Sequence, residues 1–316
     1  MKHLLYLLFY SSILSADVID LVGGGELEYY WFSEARLNEE TGHEFRRVTP
    51  VEFYDPNYLF NAYFSDNKII LNHDYRSVEE LRGIAKEKLI LFQWEPTPIS
   101  QEYMDLFSKV YTYNDDLVDG KKIFKLYYPY LLPMKTNSIP FNEKKLCVMV
   151  VRNWQPHRID IVQFFDSKPE GEFDFYCYSQ FNPFPPGQKN YRGEIPGDAC
   201  SDEKLDILHH YRFYFCTEST FINGYISDKI FFCFGAGLVP VYYGSPNIAQ
   251  YIPKDCYVDY RSFKNQEELY QFIKTMPEET YQQYLDNIRK FLKSEEAKLF
   301  TSETYYKIMK EAVNGH

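Results

Sequence analysis

Residues 211–244, YRFYFCTESTFINGYISDKIFFCFGAGLVPVYYG, contain the order of elements that decides the fold. The run RFYFCTE (212–218) is rich in aromatic residues and ends in a carboxylate, which is typical of a strand that leads into a site. The apolar run that follows predicts a helix over 226–235, and LVPVYYG (238–244) predicts the next strand. A strand, a crossover helix and a second strand form the βαβ unit of a parallel sheet.

The same alternation of short apolar runs and helical patches occurs in the first half of the chain. It predicts βα units there as well. The strand-like runs are DVIDLV (17–22), KIILNH (68–73) and KLILFQW (88–94), and the helical patches are SVEELRGIAKE (77–87) and ISQEYMDLFSKV (99–110).

The segment between the two halves, residues 127–145, is rich in proline and polar residues and has no helical period, so it is interpreted as a linker. The apolar strand LCVMVV (146–151) then starts a second series. We therefore predict an α/β protein of two Rossmann-like domains, 17–135 and 136–316, that face each other across a cleft. Ligands of such sheets bind beyond the carboxyl ends of the strands.

Composition and charge exclude some classes of protein. The 316 residues are 45% hydrophobic, which is sufficient for a sizeable core, and carry a net charge of −11. That charge argues against non-specific binding of nucleic acid, which requires a positive field. The six cysteines form no CxxC pair and have no spacing to histidine that indicates a zinc site, so buried free thiols are expected.

The first 16 residues, MKHLLYLLFYSSILSA, combine a basic start with a short apolar stretch and small residues, and therefore resemble a signal peptide or a membrane-associating segment. A first buried strand is the alternative. With a signal the protein would be membrane-associated, secretory or periplasmic, and without one it would be cytoplasmic. The sequence gives no prediction of oligomeric state.

The polar residues at the start of the 226–235 helix suit a nucleotide sugar. A helix N-terminus favours phosphate groups, and Lys229 would add a full positive charge. The Asp228 carboxylate could accept hydrogen bonds from ribose hydroxyl groups, Gly224 permits a turn before Tyr225, and Ser227 can cap the helix. On this pattern alone, the same residues also describe a capped helix with a solvated ion pair, which is the more common arrangement.

The segment 211–244 as a whole resembles the signature of the α1,3-fucosyltransferases, glycosyltransferase family ten. That signature reads roughly Y-K-F-x-x-x-F-E-N-S, a loop, Y-x-T-E-K, an apolar helix and A-G-x-[VI]-P-[VI]-x-x-G. The chain departs from it at Ser219, where the family has Asn, and at Asp228, where it has Glu. The residues in register are Tyr211, Phe213, Glu218, Tyr225, Lys229, Gly237, Pro240 and Gly244.

A second stretch, VMVVRNWQPHR (148–158), resembles the family strand that ends in V-S-N and is followed by an arginine. Asn153 is retained, and Arg158 takes the position of the arginine that contacts the donor diphosphate, a role that suits a guanidinium fork. Arg152 replaces the serine and is either a second donor contact or part of a structural ion pair. The resemblance thus implies the donor-binding residues Asn153, Arg158, Glu218, Ser219, Tyr225, Asp228 and Lys229.

The resemblance also implies the reaction. Glu95 follows strand 88–94 and precedes Pro96, which favours an extended conformation at the strand's carboxyl end. The family has a glutamate on such a segment as the base that activates the acceptor. The implied function is inverting transfer of fucose from GDP-fucose to a carbohydrate hydroxyl group, with no required cofactor and a divalent metal at most stimulatory. A GT-B enzyme with another nucleotide sugar and a non-catalytic glycan-binding module of the same fold are the alternatives.

Overall fold

The computed structural model describes residues 18–22, 33–49, 53, 56–72, 78–136, 139–197 and 201–314. Residues 1–16, the segment that resembles a signal peptide, lie outside this part of the chain. Within the described ranges, no helix combines the length and the apolar character needed to cross a membrane.

The chain divides into two compact units. The first unit contains the described residues up to Tyr111, Asp119–Phe124 and the chain from Tyr306 onward, and the second unit contains Thr112–Val118 and Lys125–Tyr305. This division differs from the predicted domains in three places, the first of which is Thr112–Val118, placed in the second unit. Residues 125–135 belong to the second unit, and the end of the chain returns to the first.

The sheet of the first unit has the strand order β2-β1-β3-β4-β5-β6 among the described residues. Strand β1 pairs in parallel with β2 and β3, and β3 pairs in parallel with β4. The strands are β1 (Val18–Val22), β2 (Glu44–Val48), β3 (Lys68–Leu71), β4 (Leu89–Gln93), β5 (Lys109–Thr112) and β6 (Ile123–Lys125). The accompanying helices are α1 (Glu34–Thr41), α2 (Pro56–Phe64), α3 (Val78–Leu81) and α4 (Gln101–Met104).

The sheet of the second unit has the order β11-β10-β9-β7-β8, and every described pairing in it is parallel. Its strands are β7 (Lys145–Val150), β8 (Phe173–Tyr176), β9 (Tyr211–Thr217), β10 (Val239–Tyr243) and β11 (Val258–Asp259). The helices are α5 (Pro156–Asp166), α6 (Asp202–Leu208), α7 (Asp228–Gly235), α8 (Gln266–Lys274), α9 (Glu278–Phe291) and α10 (Ser302–Asn314), whose last residues belong to the first unit.

The strand order places a topological switch point between β7 and β9. The chain adds β8 on one side of β7 and then β9, β10 and β11 on the other. Helices that follow β7 and β9 therefore leave the sheet in opposite directions, and a crevice at the carboxyl ends of these two strands is the usual place for a ligand in such a sheet.

Aromatic side chains fill the interior of the second unit. Phe165 of α5 stacks on Phe173 of β8 with ring centroids 4.5 Å apart, and it meets Phe215 of β9 edge-on at 5.6 Å. All three rings are buried. Much of the high aromatic content therefore serves packing between helix and sheet.

The predicted linker is packed against the second unit. The Leu131 N–H donates to the Phe300 carbonyl at 2.9 Å, and the Lys135 N–H donates to the Gly235 carbonyl at 2.8 Å. The Lys135 ammonium also pairs with Asp206 at 2.6 Å. Backbone hydrogen bonds to two separate elements make this stretch a strap on the second unit.

The amino ends of the central strands share one buried carboxylate. Asp174 is fully buried and accepts hydrogen bonds from Lys145 Nζ at 2.8 Å and from the Tyr211 hydroxyl at 2.7 Å. Arg192 Nε lies 2.7 Å from its other oxygen. Lys145 and Tyr211 are the first residues of β7 and β9, so this cluster lies at the edge of the sheet opposite the switch point.

Replacing Asp174 with Asn should therefore destabilise the second unit by about 3 kcal/mol, because two cations lose their buried counter-charge. Urea unfolding followed by tryptophan fluorescence measures this loss. The matched control is Asp286→Asn, which removes an exposed pair with Arg289 and should cost less than about 0.5 kcal/mol. Equal effects of the two substitutions would contradict the assignment.

Candidate donor site at the switch point

The residues predicted to bind a donor lie at the carboxyl ends of β7 and β9. Arg152 and Asn153 follow β7, Glu218 follows β9, and Asp228 and Lys229 begin α7. The sequence separation of these residues is large, but the parallel order of the sheet brings the ends of the two strands to the same edge. This edge is the switch point.

Glu218 is the centre of the cluster. Its carboxylate is fully buried and accepts hydrogen bonds from the Ser227 N–H at 3.0 Å and from the Ser227 hydroxyl at 2.8 Å. The Lys229 ammonium donates to the same carboxylate at 3.1 Å and to the Ser227 hydroxyl oxygen at 2.9 Å. A buried carboxylate with this set of donors fixes the start of α7 against the end of β9.

Lys229 remains a cation in this environment. Burial acts to lower its pKa, but the carboxylates of Glu218 and Asp228 outweigh burial and raise the pKa of Lys229 above its ordinary value of 10.5. The stabilisation is therefore complete below pH 10.5 and is lost only as the pH rises through the higher pKa of the folded state. About a quarter of the side chain is exposed, so a ligand can reach it.

Arg158 lies in the core of this edge and uses its guanidinium within the protein. Its Nε donates to the Thr217 hydroxyl at 3.0 Å, its Nη2 to the Thr217 carbonyl at 2.6 Å, and its Nη1 to the Asn153 carbonyl at 2.5 Å. These bonds tie α5 to the ends of β7 and β9. Arg152 and the side chain of Asn153 are exposed beside it.

Tyr225 and Ser219 line the loop between Glu218 and α7. The Tyr225 ring is buried edge-on against Tyr113 and Tyr128, with centroid distances of 4.8 and 5.9 Å. Burial raises the pKa of its hydroxyl, and a hydrogen bond with Ser219 acts against that rise. The serine that replaces the family asparagine thus contacts another residue predicted at the site.

Three residues of the cluster were not among the predicted donor-binding residues. Ser227 was considered only as a helix cap, although it connects Glu218 with Lys229. Thr217 accepts from Arg158, and His157 Nε2 lies 3.1 Å from the Glu218 carbonyl oxygen. Their positions next to predicted residues are the only signal that the sequence holds for them.

Glu95 lies in the first unit, two residues after the end of β4, and is exposed. The turn around it is held by the buried Gln93, whose side-chain amide donates to the Thr97 carbonyl at 2.7 Å. The adjacent Trp94 donates its indole N–H to Asn72 Oδ1 at 3.2 Å. The backbone that carries Glu95 is therefore fixed from both sides, as expected for a residue at the carboxyl end of a strand.

Metal-ligating side chains do not gather in this region: within the described ranges, no group of three or more His, Cys, Asp or Glu residues is placed to hold a metal ion. The cysteines that the structure describes, among them Cys216 and Cys233, are buried free thiols as predicted.

The C-terminal part of the chain matches a family model. Residues 142–310, more than half of the sequence, match the model described as "Glycosyltransferase family 10 (fucosyltransferase) C-term". This range includes β7 to β11 and every predicted donor-binding residue. It confirms the family that the signature segment resembles.

Individual relatives match over shorter stretches. An alpha-(1,3)-fucosyltransferase of Helicobacter pylori is 28% identical over 155 residues, which are 48% of this chain and 32% of the relative. A 4-galactosyl-N-acetylglucosaminide 3-alpha-L-fucosyltransferase of Bos taurus is 26% identical over 185 residues, 56% of this chain and 45% of the relative. The matched regions thus span less than half the length of these relatives.

Similarity to solved structures extends over nearly the whole chain. A crystal structure of an alpha1,3-fucosyltransferase with GDP-fucose has a TM-score of 0.56 and 16% identity, and the match covers 95% of this chain and 91% of the other. At this identity the similarity shows the fold alone. The predicted fold class, α/β with two parallel Rossmann-like sheets of GT-B type, is confirmed.

Replacing Lys229 with Met should lower the free energy of unfolding by about 3 kcal/mol, because the fully buried Glu218 carboxylate loses its counter-charge. The double variant Lys229→Met with Glu218→Gln should recover at least about 1 kcal/mol of that loss. Urea unfolding measures all three proteins.

The matched control is Lys298→Met, which breaks an exposed pair with Glu295 in the same unit and should cost less than about 0.5 kcal/mol. A loss in Lys229→Met no larger than in this control would show that the contact with Glu218 is not stabilising.

Proposed function

We propose that this chain, which belongs to glycosyltransferase family 10, transfers fucose from GDP-fucose to a hydroxyl group of a carbohydrate acceptor. The transfer proceeds with inversion at the anomeric carbon. The observation that carries the proposal is the arrangement of Glu218, Ser227 and Lys229 at the switch point, within the segment that matches the family. Helix α7 there offers a partly exposed ammonium group and the positive end of its dipole to a diphosphate.

Neutralisation of the departing nucleoside diphosphate is the main task of the second unit in this proposal. A nucleoside diphosphate is a good leaving group, so the reaction needs stabilisation of negative charge more than it needs a general acid. Lys229, kept protonated by Glu218 and Asp228, supplies a fixed positive charge. Arg158 adds a buried positive charge near the strand end while it holds Thr217 and Asn153 in place.

Activation of the acceptor is assigned to Glu95. Glu95 is an exposed carboxylate on a fixed backbone at a strand's carboxyl end, and such a group can accept a proton from a hydroxyl group. The acceptor hydroxyl group loses its proton to Glu95 as its oxygen attacks the anomeric carbon. The attack comes from the face opposite the diphosphate, and this gives inversion.

The activities named for the relatives and the ligand of a related structure support fucose and GDP-fucose as donor chemistry. The Bos taurus relative, by its name, acts on a 4-galactosyl-N-acetylglucosaminide, which makes this disaccharide the first acceptor to test. Because Lys229 and α7 carry the positive charge themselves, we propose that a divalent metal is not required.

Thermal unfolding with a panel of nucleotides in the presence of EDTA tests the donor. GDP and GDP-fucose at about 100 times their Kd should each add about 2.7 kcal/mol of stability, whereas UDP and UDP-glucose should add none. GDP-mannose shows whether the sugar is selected.

Any other response to the nucleotide panel would contradict part of the proposal. A response to uridine nucleotides alone would indicate a GT-B enzyme with another donor. The departures from the family signature at Ser219 and Asp228 are consistent with that alternative. A response to none of them would favour a glycan-binding module. Restoration of GDP binding by added Mg²⁺ would contradict the proposal of metal independence.

Glu95→Gln should lower kcat at least about 100-fold with GDP-fucose and a 4-galactosyl-N-acetylglucosaminide, because the amide cannot accept the proton. The Kd for GDP-fucose should stay within about twofold of the parent value, since the substitution leaves the second unit intact. Initial rates of GDP release measure kcat, and calorimetry measures Kd.

Glu102→Gln is the matched control. Glu102 is an exposed carboxylate of α4 in the same unit, paired with Arg82, and its substitution should leave kcat unchanged. Full activity in Glu95→Gln would show that another group is the base.

A further inference from the structure

The loop that joins Glu218 to α7 is anchored at Gly224. The Gly224 N–H donates to Ser245 Oγ at 3.0 Å and to Asn247 Oδ1 at 2.8 Å. Its carbonyl accepts from Lys125 Nζ at 3.2 Å. Residues 218–227 contain no helix and no strand beyond the end of β9, so these side-chain contacts take the place of secondary structure.

Gly224 is also the residue whose conformation and surroundings exclude a side chain. Its φ is +80°, in the left-handed region, and a Cβ atom there would lie 2.5 Å from the Tyr113 carbonyl oxygen and 2.4 Å from Asp115 Oδ1. The turn before Tyr225 therefore presses directly on the segment that carries Asp115.

One carboxylate organises the groups that hold Gly224. Asp115 accepts hydrogen bonds from Lys125 Nζ at 2.6 Å, from Asn247 Nδ2 at 2.7 Å and from the Tyr251 hydroxyl at 2.7 Å. Two of these three donors, Lys125 and Asn247, also contact Gly224, together with Ser245. The Asp115 N–H also donates to the Asn223 carbonyl at 3.0 Å, so backbone and side chain act on the same loop.

The charge of Asp115 is maintained in this cluster. Burial acts to raise its pKa, but the hydrogen bonds from Lys125, Asn247 and Tyr251 outweigh burial and hold the pKa of the Asp115 carboxyl below its ordinary value. As an anion, Asp115 accepts from all three donors at once. The hydrogen bond from Asn247 Nδ2 fixes that side chain so that its Oδ1 atom faces Gly224.

We infer that Asp115 is a positioning residue of the nucleotide site. Its carboxylate orients Lys125 and Asn247, these hold Gly224, and Gly224 sets the course of the chain into Tyr225 and Ser227. Ser227 in turn connects Glu218 with Lys229. This inference rests on the proposed function, since it assigns to Asp115 a role in binding a nucleoside diphosphate.

Asp115→Asn tests the inference because it keeps the shape and removes the charge. The new amide nitrogen would face the donors of Lys125, Asn247 or Tyr251, and the loop would lose its fixed course. We expect the Kd for GDP, measured by calorimetry on the full chain, to rise about tenfold, and the KM for GDP-fucose to rise more than kcat falls.

The matched control is Asp174→Asn. Like Asp115, Asp174 is a carboxylate of the second unit that contacts a lysine and a tyrosine hydroxyl, but it is fully buried and lies at the opposite edge of the sheet. This substitution should destabilise the protein while leaving the Kd for GDP within about twofold of the parent value. A tenfold loss of affinity in Asp174→Asn as well would show a general effect of destabilisation and would overturn the inference.

A second variant, Asn247→Ala, keeps the inference testable if Asp115→Asn does not fold. Asn247 is half-buried, and its removal should weaken GDP binding about tenfold as well. Wild-type affinity in either folded variant refutes the role of Asp115 and leaves the proposed function intact. Failure of the unsubstituted chain to bind GDP refutes the proposed function, and the inference with it.

Discussion

The buried carboxylate of Glu218 is the constraint on which the candidate site depends. It sits at the end of a central strand with no exposure to solvent, where an unpaired charge would be strongly destabilising. Ser227 and Lys229 offset this cost, and both donors lie at the start of α7, Ser227 as its N-cap and Lys229 as its second residue. The helix is therefore attached to the strand at the point where a ligand of the sheet would bind, and the same ammonium group that satisfies Glu218 is left partly open to solvent.

The main elements of the second unit could be predicted from local patterns. The apolar run 226–235 and the strand 238–244 correspond to α7 and β10 within two residues. Such runs are buried on both faces or packed between helix and sheet, so hydrophobicity alone marks them. Glu218 and Lys229 lie in one motif, eleven residues apart, and the structure brings their side chains together at 3.1 Å, while their role toward a donor stays a prediction.

The sequence could not show the contacts between segments that are far apart in the chain. The hydrogen bonds of the Arg158 guanidinium to Thr217 and to the Asn153 carbonyl arise only when β7 and β9 are neighbours, and its predicted role toward a diphosphate stays a prediction. The stretch 127–145 was interpreted as a linker because proline and polar residues disrupt periodicity. Its attachment to Phe300 and Gly235 uses main-chain groups, which carry no signal in the sequence. Asp115 was not among the predicted site residues, because its side-chain contacts with Asn247 and Tyr251 join segments that are far apart in the chain.

The return of the last helix to the first unit has a consequence for biosynthesis. Lys109 of β5 donates to the carbonyls of Glu311 and Ala312, and the Arg36 guanidinium of α1 lies 4.2 Å from the centre of the Tyr306 ring. These partners leave the ribosome some two hundred residues or more after the strand and helix that they stabilise. Domains usually fold in the order of their synthesis. Here the second unit can complete its fold first, while the earlier-made unit waits for the final turns of the chain.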